Sequence, residues 1–346
     1  MEDSKYVLKK EEGRGWCVMV NWGSKSMRIV YLVIGFAIFF VVLKLVGLKP
    51  VSIIDAGLFA MTPLALAAIG EVLNERAGTV NIGLDGILLL SATIGVYGAE
   101  VFNNGYMGLL TGLAVGGLVG LILGLISVYL RADQIIAGMG INMFAYGFVP
   151  YMLLAVWGMP GIHIPPSNVL VPTPTIGPSF RISEITVITI ILAFVAHFII
   201  YKTPIGLRIR AAGEAPEALD VAGIRVDIIR VVFCTIGGAL AGLGGAFMSL
   251  AWFGGIVKEL SAGRGFIALA CVVASGLEPL LALGFAFLFG FTESLAYSIA
   301  ITPGVKQVVP YHLVLMIPYI VTLVVVTIFI GRKRFPRALG IPYVKE

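Results

Sequence analysis

Long apolar runs alternate with short polar breaks along nearly the whole chain. A run of about 20 apolar residues can cross the hydrocarbon core of a bilayer as a helix. The runs, bounded by charges, Gly and Pro, predict an all-α polytopic membrane protein with about nine or ten transmembrane helices. The eighth run is short, which indicates a broken or re-entrant crossing. The predicted segments are 29–47, 52–73, 86–101, 106–130, 133–157, 184–201, 228–252, 264–276, 278–300 and 310–331.

Composition agrees with this pattern. Hydrophobic residues make up 59% of the 346 residues and charged residues only 12%, with a mean hydropathy of +1.00. Soluble domains are about half apolar and a quarter charged. The chain therefore has no room for a separate soluble catalytic domain, and its net charge of +5 reflects membrane topology rather than nucleic-acid binding.

The distribution of Lys and Arg predicts the orientation. If the segments alternate from a cytoplasmic N-terminus, eighteen of the 24 basic residues lie inside, as the positive-inside rule requires. The remaining six, Arg264 among them, then lie outside or near outer ends of segments. This gives a cytoplasmic tail at 1–28, a transmembrane domain at 29–331 and a cytoplasmic tail at 332–346, with both termini in the cytoplasm.

One polar stretch, 202–230, interrupts the apolar pattern and falls on the cytoplasmic side. Pro216 suits the first turn of a helix and Gly223 suits its end, which predicts a short helix of about two turns. Its apolar face would contain Ala215, Ala218, Leu219 and Ala222, and its acidic face Glu214, Glu217 and Asp220. Helices that lie on membranes usually carry basic residues on the polar face, so the acids favour docking to a soluble protein.

Three other patterns carry structural predictions. Gly112, Gly116, Gly120 and Gly124 share one helix face and predict a close crossing with a neighbouring helix. The six prolines of 158–183 predict a stiff, non-helical cap on the outer side. The stretch 71–86 reads as either a tight loop held by charge contacts between Arg76 and nearby acids, or a broken helix beside the transport path.

The sequence lacks several motifs of catalytic sites, which argues against a function as an enzyme. The chain has no GxxxxGK[ST] phosphate loop, so we expect it not to hydrolyse ATP itself. It has no HExxH motif, no Ser/His/Asp grouping and no expected metal site, which argues against a membrane-embedded enzyme. Glu293 is the deepest acid in the apolar segments and a functional candidate by default, although it could simply pair with a neighbouring hydroxyl.

Several blocks of the chain resemble the inner-membrane permeases of ATP-binding-cassette (ABC) importers, in the simple-sugar and branched-chain amino-acid class. The resemblance is nearest to the nucleoside-importer branch and covers about 60–300. Three positions differ from the family pattern: Asp85 where Glu is common, and Ala215 and Glu278 where Asn is common. The matching blocks are Glu75–Gly78, Asn81–Gly83, Gly206–Ala211, Gly213-Glu214, Pro216, Ala222–Ile224 and Gly263–Ala270.

The resemblance implies a type II-like permease fold and a coupling helix around 214–224 that sits in a cleft of an ABC ATPase subunit. It implies a second permease subunit, identical or paralogous, and an extracytoplasmic substrate-binding protein. ATP and Mg²⁺ would be bound by the partner ATPase, with no cofactor in this chain. The expected coupling residues are Arg208, Arg210, Glu214, Pro216, Glu217, Asp220 and Gly223.

The leading hypothesis is a permease in the cytoplasmic membrane that imports a small polar solute, with nucleosides as the preferred candidate, and that is powered by a separate ATPase. A simple-sugar permease of the ribose type and an ion-coupled secondary transporter are the alternatives. The pathway candidates are polar or aromatic positions on Gly-rich or broken segments: Asn81, Gln134, Asn142, Tyr146 and Glu293.

Overall fold

The computed structural model describes residues 6–7, 19–20, 50–176, 180–301, 310, 313–314, 316–329 and 335–343. The chain divides into two units, Met1–Pro50 and Val51–Glu346. In the first unit, the described residues form two antiparallel strands, β1 (Tyr6–Val7) and β2 (Met19–Val20), with Tyr6 opposite Val20. The predicted crossing at 29–47 lies outside the described residues.

The second unit is all-α apart from short strand pairs, as predicted. Seven of its described helices are long and apolar enough to cross a membrane, and two shorter apolar helices accompany them. The described helices are α1 (Pro50–Arg76), α2 (Leu84–Val101), α3 (Gly105–Val128), α4 (Gln134–Trp157), α5 (Glu184–Lys202), α6 (Pro204–Glu214), α7 (Pro216–Val221), α8 (Val226–Phe247), α9 (Arg264–Ser275), α10 (Pro279–Ile301) and α11 (Ile317–Phe329).

Polar residues in the turns fix where several helices begin. The side chains of Asn104, Asp133, Ser183 and Thr203 accept hydrogen bonds from the first backbone N–H groups of α3, α4, α5 and α6. These N–H groups have no partner inside the helix, so a side-chain cap satisfies them. Most predicted segments match the observed helices closely, and α11 lies within the predicted segment 310–331, part of which is outside the described residues.

The glycine face of α3 packs directly against α8, as predicted. A Cβ added to Gly120 would lie 2.5 Å from the carbonyl oxygen of Cys234 and 3.0 Å from the Cα of Gly238. Gly238 and Gly242 on α8 complete the contact from the other side, whereas Gly237 and Gly244 approach α1 and Gly245 approaches α2. The absence of side chains lets the two backbones touch, which suits helix association in lipid, where packing rather than the hydrophobic effect holds helices together.

The crossing after α8 is broken. Helix α8 continues into a π-helical turn, Met248–Trp252, and the chain then loops through 253–263 before α9 begins. Gly254 and Gly263 in this loop have φ values of +65° and +79°. With twelve residues, α9 is about 18 Å long, too short to cross a hydrocarbon core of about 30 Å. The predicted partial crossing at 264–276 is confirmed.

The connections gather at two ends of the helix bundle. At one end, called the outer end, β3 (Ile162–His163) pairs antiparallel with β6 (Ile256–Val257), and the Val171 N–H donates to the Leu250 carbonyl. Strands β4 (Thr175–Ile176) and β5 (Phe180–Arg181) also pair there. The described part of 158–183 contains no α-helix, only a 3₁₀ turn at Ser167–Val169, which confirms the predicted non-helical segment.

At the other end, called the inner end, the turn after α1, helices α6 and α7, and residues 335–343 lie together. The Gly340 N–H donates to the Gly78 carbonyl at 3.1 Å, and the Ala338 N–H donates to the Gly213 carbonyl at 2.9 Å. These hydrogen bonds bring three segments that were predicted to be cytoplasmic to the same end of the bundle.

Candidate functional site

The turn between α1 and α2 is built on buried polar side chains. The Asn81 N–H donates to Glu71 at 2.7 Å, and Asn81 Oδ1 accepts from the Gly83 N–H at 2.9 Å. Gln134 and Asn142, both on α4, accept from the N–H groups of Val80 and Gly86, each at 2.7 Å. Irregular backbone that is buried away from water must find such partners inside the protein.

Three of the five pathway candidates thus meet at this turn. Asn81, Gln134 and Asn142 are buried and bond to backbone groups, and they line none of the cavities described below. The amide nitrogens of Asn81 and Gln134 have no hydrogen-bond partner among the described residues. The described contacts of these side chains therefore support the turn, and their role in a pathway stays a prediction.

Asp85 joins three elements in the membrane-embedded part. Its carboxylate accepts from the Tyr146 hydroxyl at 2.6 Å, from the Ser261 hydroxyl at 2.7 Å and from the Gly265 N–H at 2.9 Å. Its exposed fraction is 0%. The bonds connect α2, α4 and the start of α9, so the broken crossing is held in place by one carboxylate.

Arg264 and Glu293 form a buried ion pair between α9 and α10. Arg264 is only 4% exposed, and its guanidinium carbon lies 4.9 Å from the Trp252 ring and 5.2 Å from the Phe253 ring. One alternative is corrected here and one placement is made more precise. Glu293 pairs with a guanidinium rather than with the neighbouring hydroxyl considered above, and Arg264, at the first position of α9, is buried rather than exposed because the loop at 253–263 turns back into the bundle.

Cavities surround this ion pair and the neighbouring loop. A cavity of about 320 Å³ is lined by Tyr146, Lys258 and Glu259, and another of about 450 Å³ by Phe253, Val257, Arg264 and Tyr297. A smaller one of about 80 Å³ lies beside Glu293, Tyr297 and Tyr319. All three include Ala262 in their walls. Two pathway candidates, Tyr146 and Glu293, therefore border cavities.

The short helix predicted in 202–230 is present as α7, with Pro216 in its first turn and Gly223 at φ +77° just after it. The structure adds a separate helix, α6, in front of it. The predicted apolar face is wrong. Leu219 and Pro216 are buried against the bundle, whereas Ala218 and Ala222 are exposed, because the preceding α6 sets how α7 is rotated.

The exposed part of α7 combines apolar and acidic side chains. Val221 is 90% exposed, and the sequence patterns did not single it out. Glu217 and Gly223 are exposed beside it. Arg208 is exposed on α6, whereas Arg210 lies 5.6 Å from the Tyr201 ring of α5. The seven expected coupling residues therefore lie on α6, α7 and the turn that follows, at the inner end.

Arg76 also lies at the inner end, with partners that differ from those expected. It donates to the Tyr201 hydroxyl at 2.9 Å and to the Leu277 carbonyl at 3.1 Å. None of the ion pairs between described residues includes Arg76. Charge contacts to nearby acids therefore do not hold this turn. Glu278, the acid next to Leu277, forms an ion pair with His197 at 2.5 Å and not with Arg76.

Most of the sequence matches a known protein family. Residues 53–326 match the family described as branched-chain amino acid transport system, permease component. The chain belongs to this permease family. The permease is thus a multi-pass membrane subunit of an ABC transport system, and its family implies an ATPase and a substrate-binding protein as partners.

Relatives of the permease extend over most of its length. It is 37% identical to the guanosine ABC transporter permease protein NupQ of Bacillus subtilis over 308 residues, which cover 85% of this chain and 96% of that protein. It is 32% identical to the nucleoside ABC transporter permease protein NupC of Lactococcus lactis subsp. cremoris over 310 residues, covering 82% and 94%.

Similarity also extends to a sugar permease. The permease is 32% identical to the putative glucose ABC transporter permease protein TsgC13 of Haloferax volcanii over 265 residues, covering 73% of this chain and 80% of that protein. No solved structure matches the permease.

Proposed function

We propose that this permease imports nucleosides across the cytoplasmic membrane, powered by ATP hydrolysis in a separate subunit. The observation that carries the proposal is its similarity, over more than four fifths of the chain, to a guanosine permease and a nucleoside permease. A sugar substrate is the second candidate, because the similarity to a glucose permease is as high as that to the nucleoside permease, 32%, and covers 73% of the chain.

The proposed orientation puts the inner end in the cytoplasm. Segment 202–230 and tail 332–346 each carry five basic residues, and the N-terminal tail 1–28 carries six, which supports a cytoplasmic location for all three. The outer end, with β3, β6 and the proline-rich segment 158–183, then faces the extracytoplasmic binding protein.

In this orientation α6 and α7 are the contact with the ATPase. Arg208, Glu217 and the apolar Val221 are exposed there and can enter a cleft of a soluble subunit. ATP and Mg²⁺ are bound by that subunit, and this chain supplies no cofactor. A second permease, either another copy or a paralogue, completes the translocating pair.

The proposed solute path runs along the cavities around Ala262. Tyr146, Phe253 and Tyr297 offer aromatic rings on which a nucleobase can stack, and such stacking suits any base. Arg264 Nε and Glu293 Oε2 are buried and have no hydrogen-bond partner among the described residues. Both residues line the cavity of about 80 Å³, so these two atoms would bond the hydroxyl groups of a sugar ring once the path opens.

Reconstitution tests the substrate class. The permease pair, the ATPase and the binding protein would be placed in proteoliposomes, and uptake of labelled guanosine, ribose and glucose measured with and without ATP. We expect ATP-dependent guanosine uptake that excess nucleoside suppresses and excess ribose does not. ATP-dependent uptake of ribose or glucose alone would favour the sugar permease. Accumulation by this chain alone under an ion gradient would favour a secondary transporter.

A further inference from the structure

Residues 335–343 contact the coupling region, which consists of helices α6 and α7, at several points. Their backbone bonds to Gly78 and Gly213 are described above. In addition, the Tyr343 hydroxyl donates to Asp220 of α7 at 3.2 Å, and Arg337 lies 3.7 Å from Glu214 at the end of α6. This segment therefore lies along both helices of the coupling region.

The buried side chain of Arg230, on α8, holds residues 335–343 in place by hydrogen bonds to their backbone. It is 1% exposed, and its guanidinium donates to the carbonyls of Ile341 at 2.7 Å, Ala212 at 3.2 Å and Ala338 at 3.4 Å. One buried cation thus holds α6 and residues 335–343 to the same transmembrane helix. Removing its carbonyl partners would leave a buried charge poorly satisfied, which is costly.

A groove of about 670 Å³ separates α7 from residues 335–343. Its walls carry three acidic side chains, from Glu214, Glu217 and Asp220, and one basic side chain, from Arg337. The walls also include the apolar side chains of Val221, 90% exposed, and Ile341, 57% exposed. A groove that combines excess negative charge with exposed apolar side chains suits a positively charged protein segment that brings apolar groups of its own.

We propose that residues 335–343 form the second wall of the ATPase-binding surface, and that the groove between this wall and α7 receives a basic segment of the ATPase subunit. The proposal rests on the proposed function and extends it. The coupling surface is a composite of two chain segments more than a hundred residues apart, and Arg230 keeps them in register.

Ile341 offers a test that leaves the anchoring intact, because Arg230 binds its backbone carbonyl and not its side chain. Ile341→Arg and Ile341→Glu would be compared with wild type for the affinity of the purified ATPase subunit toward the permease in nanodiscs, at low and high salt. For Arg we expect an affinity about fivefold weaker, an effect that salt reduces. For Glu we expect an affinity equal to or above that of wild type.

Each result decides the proposal. Equal weakening by Arg and Glu would show an apolar contact without a basic occupant and would overturn the proposed charge complementarity. Wild-type affinity in both variants would assign the groove to another occupant, such as the basic residues 1–28 of this chain, and would overturn the proposal. In either case a loss of ATPase binding in Glu217→Arg would leave the coupling role of α7 standing, whereas retained binding and uptake in that variant would refute the proposed function itself.

Discussion

Asp85 illustrates how much a single buried side chain holds together in this protein. Its carboxylate accepts three hydrogen bonds, from α4, from the loop before α9 and from the first turn of α9. In a low-dielectric interior, an unpaired donor costs more than a paired one gains. The position of the broken crossing therefore depends on having an acceptor at residue 85.

The first prediction concerns that acceptor. We expect Asp85→Leu to lower the free energy of unfolding by about 1–3 kcal/mol, because the Gly265 N–H is left without a partner. Asp85→Asn is the matched control. It should lower the free energy of unfolding by less than Asp85→Leu, because its amide oxygen can still accept from the Gly265 N–H and the hydroxyls of Tyr146 and Ser261 can reorient. Unfolding in mixed detergent micelles measures both. Equal stability of the Leu variant and wild type would contradict the role of Asp85.

At this scale the sequence identified residues better than it identified their partners. Asn81, Gln134 and Asn142 stand out as amides in apolar surroundings, and the structure brings all three to one turn. Arg264 could not be assigned from the sequence, because only the backward fold of 253–263 carries it into the bundle next to Glu293. Partner choice depends on tertiary placement, which hydropathy does not encode.

At the scale of helices, the sequence predicted most boundaries because length, hydropathy and capping residues are local properties. It did not predict the π-helical turn at Met248–Trp252 or the division of the coupling region into α6 and α7. Both depend on how the chain packs against neighbouring helices. The rotation of α7, which buries Leu219 and exposes Val221, was missed for the same reason.

The α3–α8 crossing gives the second prediction. We expect Gly120→Ala to lower the free energy of unfolding by about 1–3 kcal/mol, because its Cβ would lie 2.5 Å from the Cys234 carbonyl oxygen and force the helices apart. Gly117→Ala, one turn away on the same helix, should be neutral or slightly stabilising, since its nearest neighbour, the Ala239 Cβ, is 3.4 Å away. Thermal unfolding in detergent compares them. An equal loss of stability in the two variants would mean that the α3–α8 crossing does not depend on the glycine face.

At the scale of the whole molecule, we propose that the inner end binds the ATPase and the outer end binds the extracytoplasmic protein. Two similar glycines, one at each end, allow the two roles to be tested separately. Gly223 follows α7 at the inner end, and Gly158 follows α4 at the outer end. Both have positive φ and no atom within 4 Å of an added Cβ. A Leu at either position therefore carries a similar backbone strain, about 1–2 kcal/mol.

The third prediction uses this pair. We expect Gly223→Leu to abolish solute uptake while membrane insertion stays normal, because a bulky side chain would obstruct the ATPase at the coupling surface. Gly158→Leu, at the opposite end, should keep wild-type affinity for the purified ATPase subunit, whereas Gly223→Leu should lose it; ATPase binding and ATP-driven uptake at matched expression are measured for both. If the two variants lose ATPase binding equally, backbone strain rather than obstruction explains the loss. Undiminished uptake in Gly223→Leu would exclude α7 from the coupling contact.

The anchoring of Arg230 also orders events during synthesis. Two of its three carbonyl partners, at Ala338 and Ile341, are made more than a hundred residues after the arginine itself. Until the ribosome has released that stretch, the guanidinium must keep water or lipid headgroups as partners, because burying it unsatisfied is costly. We therefore expect the inner end of the bundle to close only after the described helices have been made, so that a nascent chain that stalls before residue 338 leaves Arg230 exposed to water or lipid headgroups.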